Sequence, residues 1–257
     1  MILRGIAFMQ ALKIVIAGAS GFIGKYLVKE LVEQNHEIVA LSRREQASSL
    51  ATNFHWKVCD LFSYRDCKEA LKECDIAYYM VHSMLPSAKL AQGNFADYDL
   101  ALADNFSRAA RDNQLKQIIY LGGIIPDDSE LSRHLLSRLE VEKTLRASGV
   151  PVTSLRAGIV LGPEGSSFRM IYNLVKRLPV MICPSWTQTL SNPIYVDDVV
   201  HALKFCLNES QTFGQIYDLG GSTTLSYREM MRVLADKMQL KKTFHNVPLF
   251  SPALSKL

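Results

Sequence analysis

The chain has 257 residues, close to the upper limit for one hydrophobic core, so we expect one main domain or one domain with a smaller lobe. Hydrophobic residues make up 48% and charged residues 21% of the sequence, which excludes a disordered, collagenous or disulfide-framework chain. The formal net charge is +4 and the charges are interspersed. This distribution argues against a dedicated nucleic-acid or membrane-surface binder.

The five cysteines form no CxxC pair, and their odd number leaves no complete disulfide set. This favours a reducing compartment and argues against a metal site made of cysteines. No stretch reaches the roughly 18 uninterrupted apolar residues of a membrane span. Residues 1–11 lack the cleavage site of a signal peptide, so we interpret them as an N-terminal extension, with Met9 as an alternative start. We therefore expect a cytoplasmic protein with no integral membrane segment.

From Leu12 onward, apolar runs of strand length alternate with segments of helical periodicity, which is typical of βαβ units. The predicted strands are Lys13–Ala17, Glu37–Leu41, His55–Cys59, Ile76–Val81, Gln117–Leu121 and Val152–Arg156. The predicted helices are Gly24–Gln34, Tyr64–Glu73, Phe95–Asp112 and Glu130–Ser148. Parallel strands need crossover helices, and nearly all such crossovers are right-handed. The pattern therefore predicts an α/β fold with a doubly wound parallel sheet.

The alternation loosens after about Gly162. There we predict a helix near Phe168–Arg177, a proline-marked stretch over Pro179–Pro193, and a helix with Asp197 or Asp198 as its N-cap. A strand at Gln215–Leu219 and a helix at Ser226–Met238 follow. We divide the chain into the extension, a nucleotide-binding core over residues 12–162, and residues 163–257, which complete the sheet and form a small substrate lobe.

A glycine-rich loop follows the first predicted strand and opens the first predicted helix. Its GxxGxxG spacing, set by Gly18, Gly21 and Gly24, is a variant of the dinucleotide fingerprint. Gly18 permits the tight turn, Gly21 allows the backbone to approach a pyrophosphate, and Gly24 allows close packing of helix on strand. Because a helix N-terminus offers amide donors to phosphate, the loop predicts dinucleotide binding. The candidate ligand contacts here are Gly18, Ser20, Gly21, Phe22, Ile23 and Gly24.

The end of the second strand indicates which dinucleotide is bound. An acidic residue is expected there for the ribose hydroxyls of NAD, but the sequence has Leu41, Ser42, Arg43 and Arg44. A guanidinium offers a bidentate fork to a 2′-phosphate, so Ser42 and Arg43 favour NADP(H) over NAD(H). The alternative is a pair of solvated loop arginines.

Two further strands end on the same predicted edge of the sheet, where ligands bind in folds of this kind. Asp60 and Leu61 follow the third strand, and the Asp60 carboxylate is a candidate for an adenine amino group. Val81, His82 and Ser83 close the fourth strand and are placed to line a cofactor channel. The alternative for each is a plain loop residue that caps the next helix.

Four segments resemble the extended and atypical short-chain dehydrogenase/reductases, the NAD-dependent epimerase/dehydratase-like proteins with a Rossmann fold. The four segments are residues 17–24, 59–61, 156–163 and 192–198. Residues 77–83 and 119–123 are similar to the branch that contains relatives of the nucleotide-binding accessory subunit of respiratory complex I. The resemblance covers roughly residues 12–238.

The resemblance also places the catalytic set of the family, a Ser after the fifth strand and a Tyr-x-x-x-Lys on the next helix. Here the serine position reads Gly122-Gly123, and His134 and Arg138 fall at the tyrosine and lysine positions. Their four-residue spacing puts both side chains on one helix face. Arg138 is a candidate for the cofactor ribose or phosphate, whereas His134 is either a replacement acid/base or a helix residue in an altered site.

Two functions remain open. The first is an NAD(P)-binding oxidoreductase or epimerase acting on an unknown small-molecule substrate, with His134 and Arg138 as candidate catalytic residues. The second is a non-catalytic nucleotide-binding redox sensor, assembly factor or accessory subunit with a protein partner. Asp127, Asp128 and Glu130 are interpreted as an acidic helix start and not as a metal site. We predict a bound dinucleotide, no metal and no nucleic acid.

Overall fold

The computed structural model describes residues 11–47, 51–81, 95–126 and 131–247. The chain forms two compact units. The first contains the described residues up to Arg156 together with Val200–Tyr217. The second contains Ala157–Val199 and the described residues from Asp218 onward.

Helices and strands alternate along most of the chain. The helices are α1 (Phe22–Glu33), α2 (Tyr64–Ala70), α3 (Phe95–Asp112), α4 (Arg133–Arg146), α5 (Ser166–Arg177), α6 (Val196–Phe205) and α7 (Tyr227–Lys237). The strands are β1 (Lys13–Ala17), β2 (Glu37–Ser42), β3 (Phe54–Val58), β4 (Ile76–Tyr79), β5 (Gln117–Gly123), β6 (Val152–Ala157), β7 (Val160–Leu161), β8 (Val180–Pro184), β9 (Leu190–Ser191), β10 (Ile194–Tyr195), β11 (Ile216–Leu219), β12 (Leu225–Ser226) and β13 (Thr243–Val247).

Seven strands form the central parallel sheet, in the order β11-β6-β5-β4-β1-β2-β3. The order reverses at β1, which pairs with β2 on one side and β4 on the other, so that Ile14 lies opposite both Ile38 and Ile76. A switch of this kind defines the doubly wound Rossmann arrangement, and ligands of such sheets bind at the carboxyl ends of the strands beside it. The predicted fold class is confirmed.

Two predicted helix starts are wrong. Helix α4 begins at Arg133 and not at Glu130, because the Ser132 side chain accepts a hydrogen bond from the Leu135 amide (3.3 Å) and caps the helix. Asp197 and Asp198 lie in the first turn of α6, which begins at Val196, so neither is the N-cap. Their negative charges still interact favourably with the positive, N-terminal end of the helix dipole.

The first unit is built on a continuous apolar core because its strands are covered on both faces. Val15, Val39, Ala77 and Ile118 lie on neighbouring strands and are at most 2% exposed. Helix α1 buries Leu27 and Leu31, one turn apart. This core fixes the relative positions of the strand ends from which the candidate site is built.

The second unit has its own apolar cluster, in which α5, α7 and β8 contribute side chains. Helix α7 starts with a capping box: the Ser226 hydroxyl accepts from the Glu229 amide, and the Glu229 carboxylate accepts from the Ser226 amide. The buried members of the apolar cluster are Ile171, Val175, Met181, Cys183, Met230, Met231 and Ala235.

Across the described residues of both units, no helix combines the length and apolar character needed to cross a membrane.

Candidate functional site

The glycine loop connects β1 to α1 at the switch point of the sheet. Gly18 has a φ of +98°, and a Cβ atom there would lie 2.9 Å from the Met80 carbonyl oxygen at the end of β4. A side chain at position 18 would therefore meet both backbone strain and a steric clash. The Gly21 amide donates to the Gly18 carbonyl (3.0 Å) and closes the turn.

The other two glycines keep the start of α1 open and close to the turn. A Cβ atom at Gly24 would lie 2.1 Å from the Gly18 carbonyl oxygen, whereas one at Gly21 would lie 3.1 Å from it. Gly21 is the N-cap of α1, and no side chain of the described residues caps this helix. The first amides of α1 thus face the end of the loop as donors for an anion.

Ser42 and Arg43 lie where β2 ends. The Ser42 hydroxyl accepts hydrogen bonds from the Arg44 backbone amide (3.3 Å) and the Gln46 side-chain amide (3.1 Å), so it organises the local turn. The Arg43 side chain is exposed at this edge. Ser42 and Arg43 thus lie next to each other at the carboxyl end of β2.

Asp60 and Leu61 follow β3. Asp60 is exposed, and its carboxylate accepts from the Phe62 amide (3.0 Å), while Leu61 is 8% exposed. The Leu61 carbonyl accepts from the Asn105 side chain (3.1 Å) on α3 and so anchors the turn. Asp60 therefore stabilises its own turn and presents its charge to solvent.

Of the three candidate residues that follow β4, the structure describes only Val81. Val81 is half-buried and lies two residues beyond the end of β4. His82 and Ser83, which the sequence also indicates, lie outside the described residues, as do Asp127, Asp128 and Glu130.

His134 and Arg138 are joined by a hydrogen bond on the face of α4. The Arg138 Nε–H donates to His134 Nε2 at 3.1 Å. The four-residue spacing thus produces a direct contact. Loss of hydration is the largest cause that lowers the pKa of His134; the Arg138 charge lowers it further, and Asp99 opposes both.

Two side chains lie close to Gly122 and Gly123, the positions at which the resemblance predicts the family's serine. A Cβ atom at Gly122 would lie 2.7 Å from the Tyr120 ring, and one at Gly123 would lie 3.1 Å from Arg138 Cδ. Tyr120 is buried, and its hydroxyl donates to the backbone carbonyl of Arg138 (3.1 Å). A serine at either position would displace Tyr120 or Arg138, which explains why glycines occur here.

The sequence did not indicate Tyr120 and Asp99 as members of this site. Burial raises the pKa of the Tyr120 hydroxyl, so it stays a neutral donor. Asp99 on α3 accepts from the Ser137 hydroxyl (3.4 Å), and its charge acts on both His134 and Arg138. Tyr120 was predicted only as a strand residue, and no spacing rule connects Asp99 on α3 with α4.

Helix α4 also carries a buried ion pair with the sheet. Glu142 is 3% exposed and forms a bidentate ion pair with Arg156 on β6, with both N–O distances at 2.9 Å. This pair fixes α4 on the sheet. It therefore contributes to the placement of Arg138, one turn earlier on the same helix.

The switch-point loop and parallel sheet define a Rossmann-type dinucleotide-binding fold. The chain belongs to the NAD dependent epimerase/dehydratase family, which matches residues 14–220. This family agrees with the resemblance found in the sequence.

Among curated proteins, the chain is similar to the auxiliary protein GraX of Staphylococcus aureus, with 36% identity over 122 residues. That match covers 47% of this chain and 39% of GraX. It is also similar to the mitochondrial NADH-ubiquinone oxidoreductase 40 kDa subunit of Neurospora crassa, with 21% identity over 91% of this chain and 62% of the subunit. The chain thus spans less than two thirds of either relative.

Among solved structures, the enzyme WbmG of Bordetella bronchiseptica in complex with NAD superposes with a TM-score of 0.78. The identity is 17%, and the match covers all of this chain and 89% of WbmG. A second WbmG structure holds NAD and UDP. At this identity the similarity establishes the shared fold.

Proposed function

We propose that this protein binds NADP(H) at the carboxyl edge of its first unit and acts as a non-catalytic nucleotide-binding protein, a redox sensor, assembly factor or accessory subunit. The observation that carries the second half of this proposal is the occupied serine position. A Cβ atom at Gly122 would meet the Tyr120 ring and one at Gly123 would meet Arg138 Cδ, and the resemblance places the family's serine at these two glycines.

The glycine loop supports the first half. Side chains at Gly21 and Gly24 would crowd the start of α1, so the loop keeps a bare backbone where a pyrophosphate would lie. Gly18, Ser20, Gly21, Phe22, Ile23 and Gly24 would hold the phosphates. The nicotinamide, when bound, supplies the chemistry of hydride transfer.

The remaining candidates surround this loop. Ser42 and Arg43 would take the 2′-phosphate, and Asp60 and Leu61 would lie beside the adenine. Arg138 would face the nicotinamide half, as the lysine does in the family pattern. Val81, His82 and Ser83 would line the channel between the two halves. WbmG and other solved relatives bind NAD, so the choice of NADP(H) rests on Ser42 and Arg43 alone.

The second candidate is an oxidoreductase or epimerase in which His134 replaces the tyrosine. The exposure of His134 at the position of the family's tyrosine favours this alternative. Residues 163–257 would then act as the substrate lobe. UDP, which WbmG binds, is a suitable probe for this lobe in a calorimetric titration.

The test of dinucleotide binding is a calorimetric titration of the whole chain with NADPH and with NADH. We expect binding by the wild type and loss of binding in Gly21→Val, because the branched side chain would occupy the space of the pyrophosphate. Gly21 has φ −71° and ψ 171°, a conformation that valine adopts readily, and the 3.1 Å approach of a Cβ atom to the Gly18 carbonyl oxygen needs only a small shift, so the variant should stay folded, which circular dichroism checks. Unchanged affinity in a folded Gly21→Val variant would overturn the assignment of the phosphate loop.

A further inference from the structure

The hydrogen bond between Arg138 and His134 fixes the protonation of the imidazole. A guanidinium carries only donors, so His134 Nε2, 3.1 Å from Arg138 Nε, must be the acceptor. A nitrogen that accepts a hydrogen bond carries no proton. The imidazole in this arrangement is therefore neutral, with its proton on Nδ1.

Among the described residues, α4, α3 and β5 place charged or titratable groups around the pair. Arg138 faces His134 from the same helix, and Asp99 acts on it from α3. Tyr120 on β5 and Asp99 act on Arg138. Lost hydration and the Arg138 charge together outweigh Asp99, so the pKa of His134 is lowered and the neutral form prevails near pH 7.

We propose that neutral His134 is a positioning residue, which holds the Arg138 side chain against the end of β5 and so keeps it in place for a bound dinucleotide. This inference rests on the proposed binding function and deepens it. Protonation of His134 would remove the acceptor and place two cations side by side. The Arg138 side chain would then leave this position, and dinucleotide affinity would fall as the pH drops.

The contacts around Arg138 confine such a movement to its side chain. The Arg138 carbonyl is held by the Tyr120 hydroxyl at 3.1 Å, so the backbone stays in place when the side chain moves. The side chain lies over Gly123, where even a Cβ atom would come within 3.1 Å of Arg138 Cδ. The bond to His134 is made by Nε, the atom next to Cδ, and so fixes the orientation of the guanidinium beyond it.

The first test needs no nucleotide. Long-range ¹H–¹⁵N NMR spectra report which ring nitrogen of a histidine carries the proton, and His134→Gln identifies the signal among the six histidines. We expect the Nδ1–H form in the wild type. In Arg138→Met we expect a higher pKa for His134, since the neighbouring cation is gone. A wild-type His134 in the Nε2–H form would overturn the inference.

The second test is the affinity for NADP⁺ between pH 5 and pH 8, measured by calorimetry on the wild type, His134→Gln and His201→Gln. His201 is exposed on α6, and His201→Gln serves as the matched control. It shows how much of the pH dependence comes from titration of the ligand itself. We expect the wild type and His201→Gln to lose affinity together as the pH falls. His134→Gln keeps an acceptor that does not titrate, so its loss should be at least fivefold smaller.

The two failures are distinguishable. Equal pH dependence in the wild type and His134→Gln would overturn the positioning role while leaving dinucleotide binding intact. Absence of NADP⁺ and NAD⁺ binding at pH 8 in the wild type would overturn the proposed function and, with it, the effect on affinity. The NMR result would still decide whether the bond holds His134 neutral.

Discussion

Arg43 is the residue on which the choice between NADPH and NADH depends. Its side chain is exposed beside Ser42, and a charge-assisted hydrogen bond to a phosphate is worth about 1.5–3 kcal/mol. We expect Arg43→Ala to weaken NADPH by that amount and to leave NADH nearly unchanged. Calorimetric titration measures both, with Arg44→Ala as the matched control. A wild type that prefers NADH would show that Arg43 is an ordinary surface residue.

His36 makes stability depend on pH. It is 1% exposed, its Nδ1 accepts from the Leu12 amide (3.2 Å), and among the described residues its Nε2 has no hydrogen-bond partner. Burial lowers the pKa of His36 in the folded state. The folded chain therefore binds this proton less readily than the unfolded chain.

The sign of this effect follows from linkage. The contribution of His36 to stability is fully present above the unfolded pKa, near 6.5, and is lost as the pH falls toward the lower folded pKa, with a limiting slope of about 1.4 kcal/mol per pH unit. Urea unfolding at pH 7.5, 6.5 and 5.5 measures it. His36→Gln should reduce the slope. The same slope in the variant would show that other groups cause it.

Individual residues were predictable where a backbone rule applies. The roles of Gly18 and Gly24 follow from the fingerprint, and the contact between His134 and Arg138 follows from their spacing. Tyr120 was not predictable as a site residue, because its hydroxyl bonds a backbone carbonyl 18 residues away. Such contacts depend on how α4 lies on the sheet.

At the scale of elements, the junction of β1 and α1 is held by close backbone packing. Alanine normally stabilises a helix by about 1 kcal/mol relative to glycine. We expect the opposite for Gly24→Ala, because the new Cβ atom would lie 2.1 Å from the Gly18 carbonyl oxygen. The loss should be about 3 kcal/mol, the upper end of the usual range for overpacking.

Thermal unfolding measures this effect, and Gly21→Ala is the matched control. Its Cβ atom would approach the same Gly18 oxygen to 3.1 Å, a contact that a small shift relieves, so its melting temperature should fall much less than that of Gly24→Ala. A Gly24→Ala variant as stable as the wild type would contradict the close packing of α1 on the loop.

Long elements were predictable because their periodicity reports burial on one or both faces. Helix α3 has the predicted bounds, and β1 matches residue for residue. The strands of two residues in the second unit, such as β9 and β10, were missed because two residues show no periodicity. Strand β8 was hidden in the stretch with several prolines, and its partner β13 is more than 50 residues away.

At the scale of the whole molecule, the sequence indicates the fold and the family more firmly than the activity. The order of strands and helices predicted the doubly wound sheet, and the family match agrees with it. Activity depends on a few side chains that the family pattern places but does not determine. His134 and Arg138 differ from that pattern. Only the structure shows which charged groups, such as Asp99, lie around them.

We expect that bound NADPH is not used to reduce carbonyl compounds. Neither Gly122 nor Gly123 offers a hydroxyl to a substrate oxygen, and in the structure His134 Nε2 is occupied by Arg138. General acid/base catalysis contributes about 10²–10⁴-fold, so its loss leaves slow turnover even with correctly bound nicotinamide.

The most direct measurement is the oxidation of NADPH held in a stoichiometric complex with the chain, followed by absorbance during exposure to a panel of aldehydes and ketones. We expect NADPH to bind and to remain reduced on the time scale of ordinary turnover. His134→Ala, at a protein concentration high enough to keep NADPH bound despite the lost contact to Arg138, should also leave NADPH reduced. Rapid oxidation in the wild type that disappears in His134→Ala would contradict the account and would show that His134 has replaced the catalytic tyrosine.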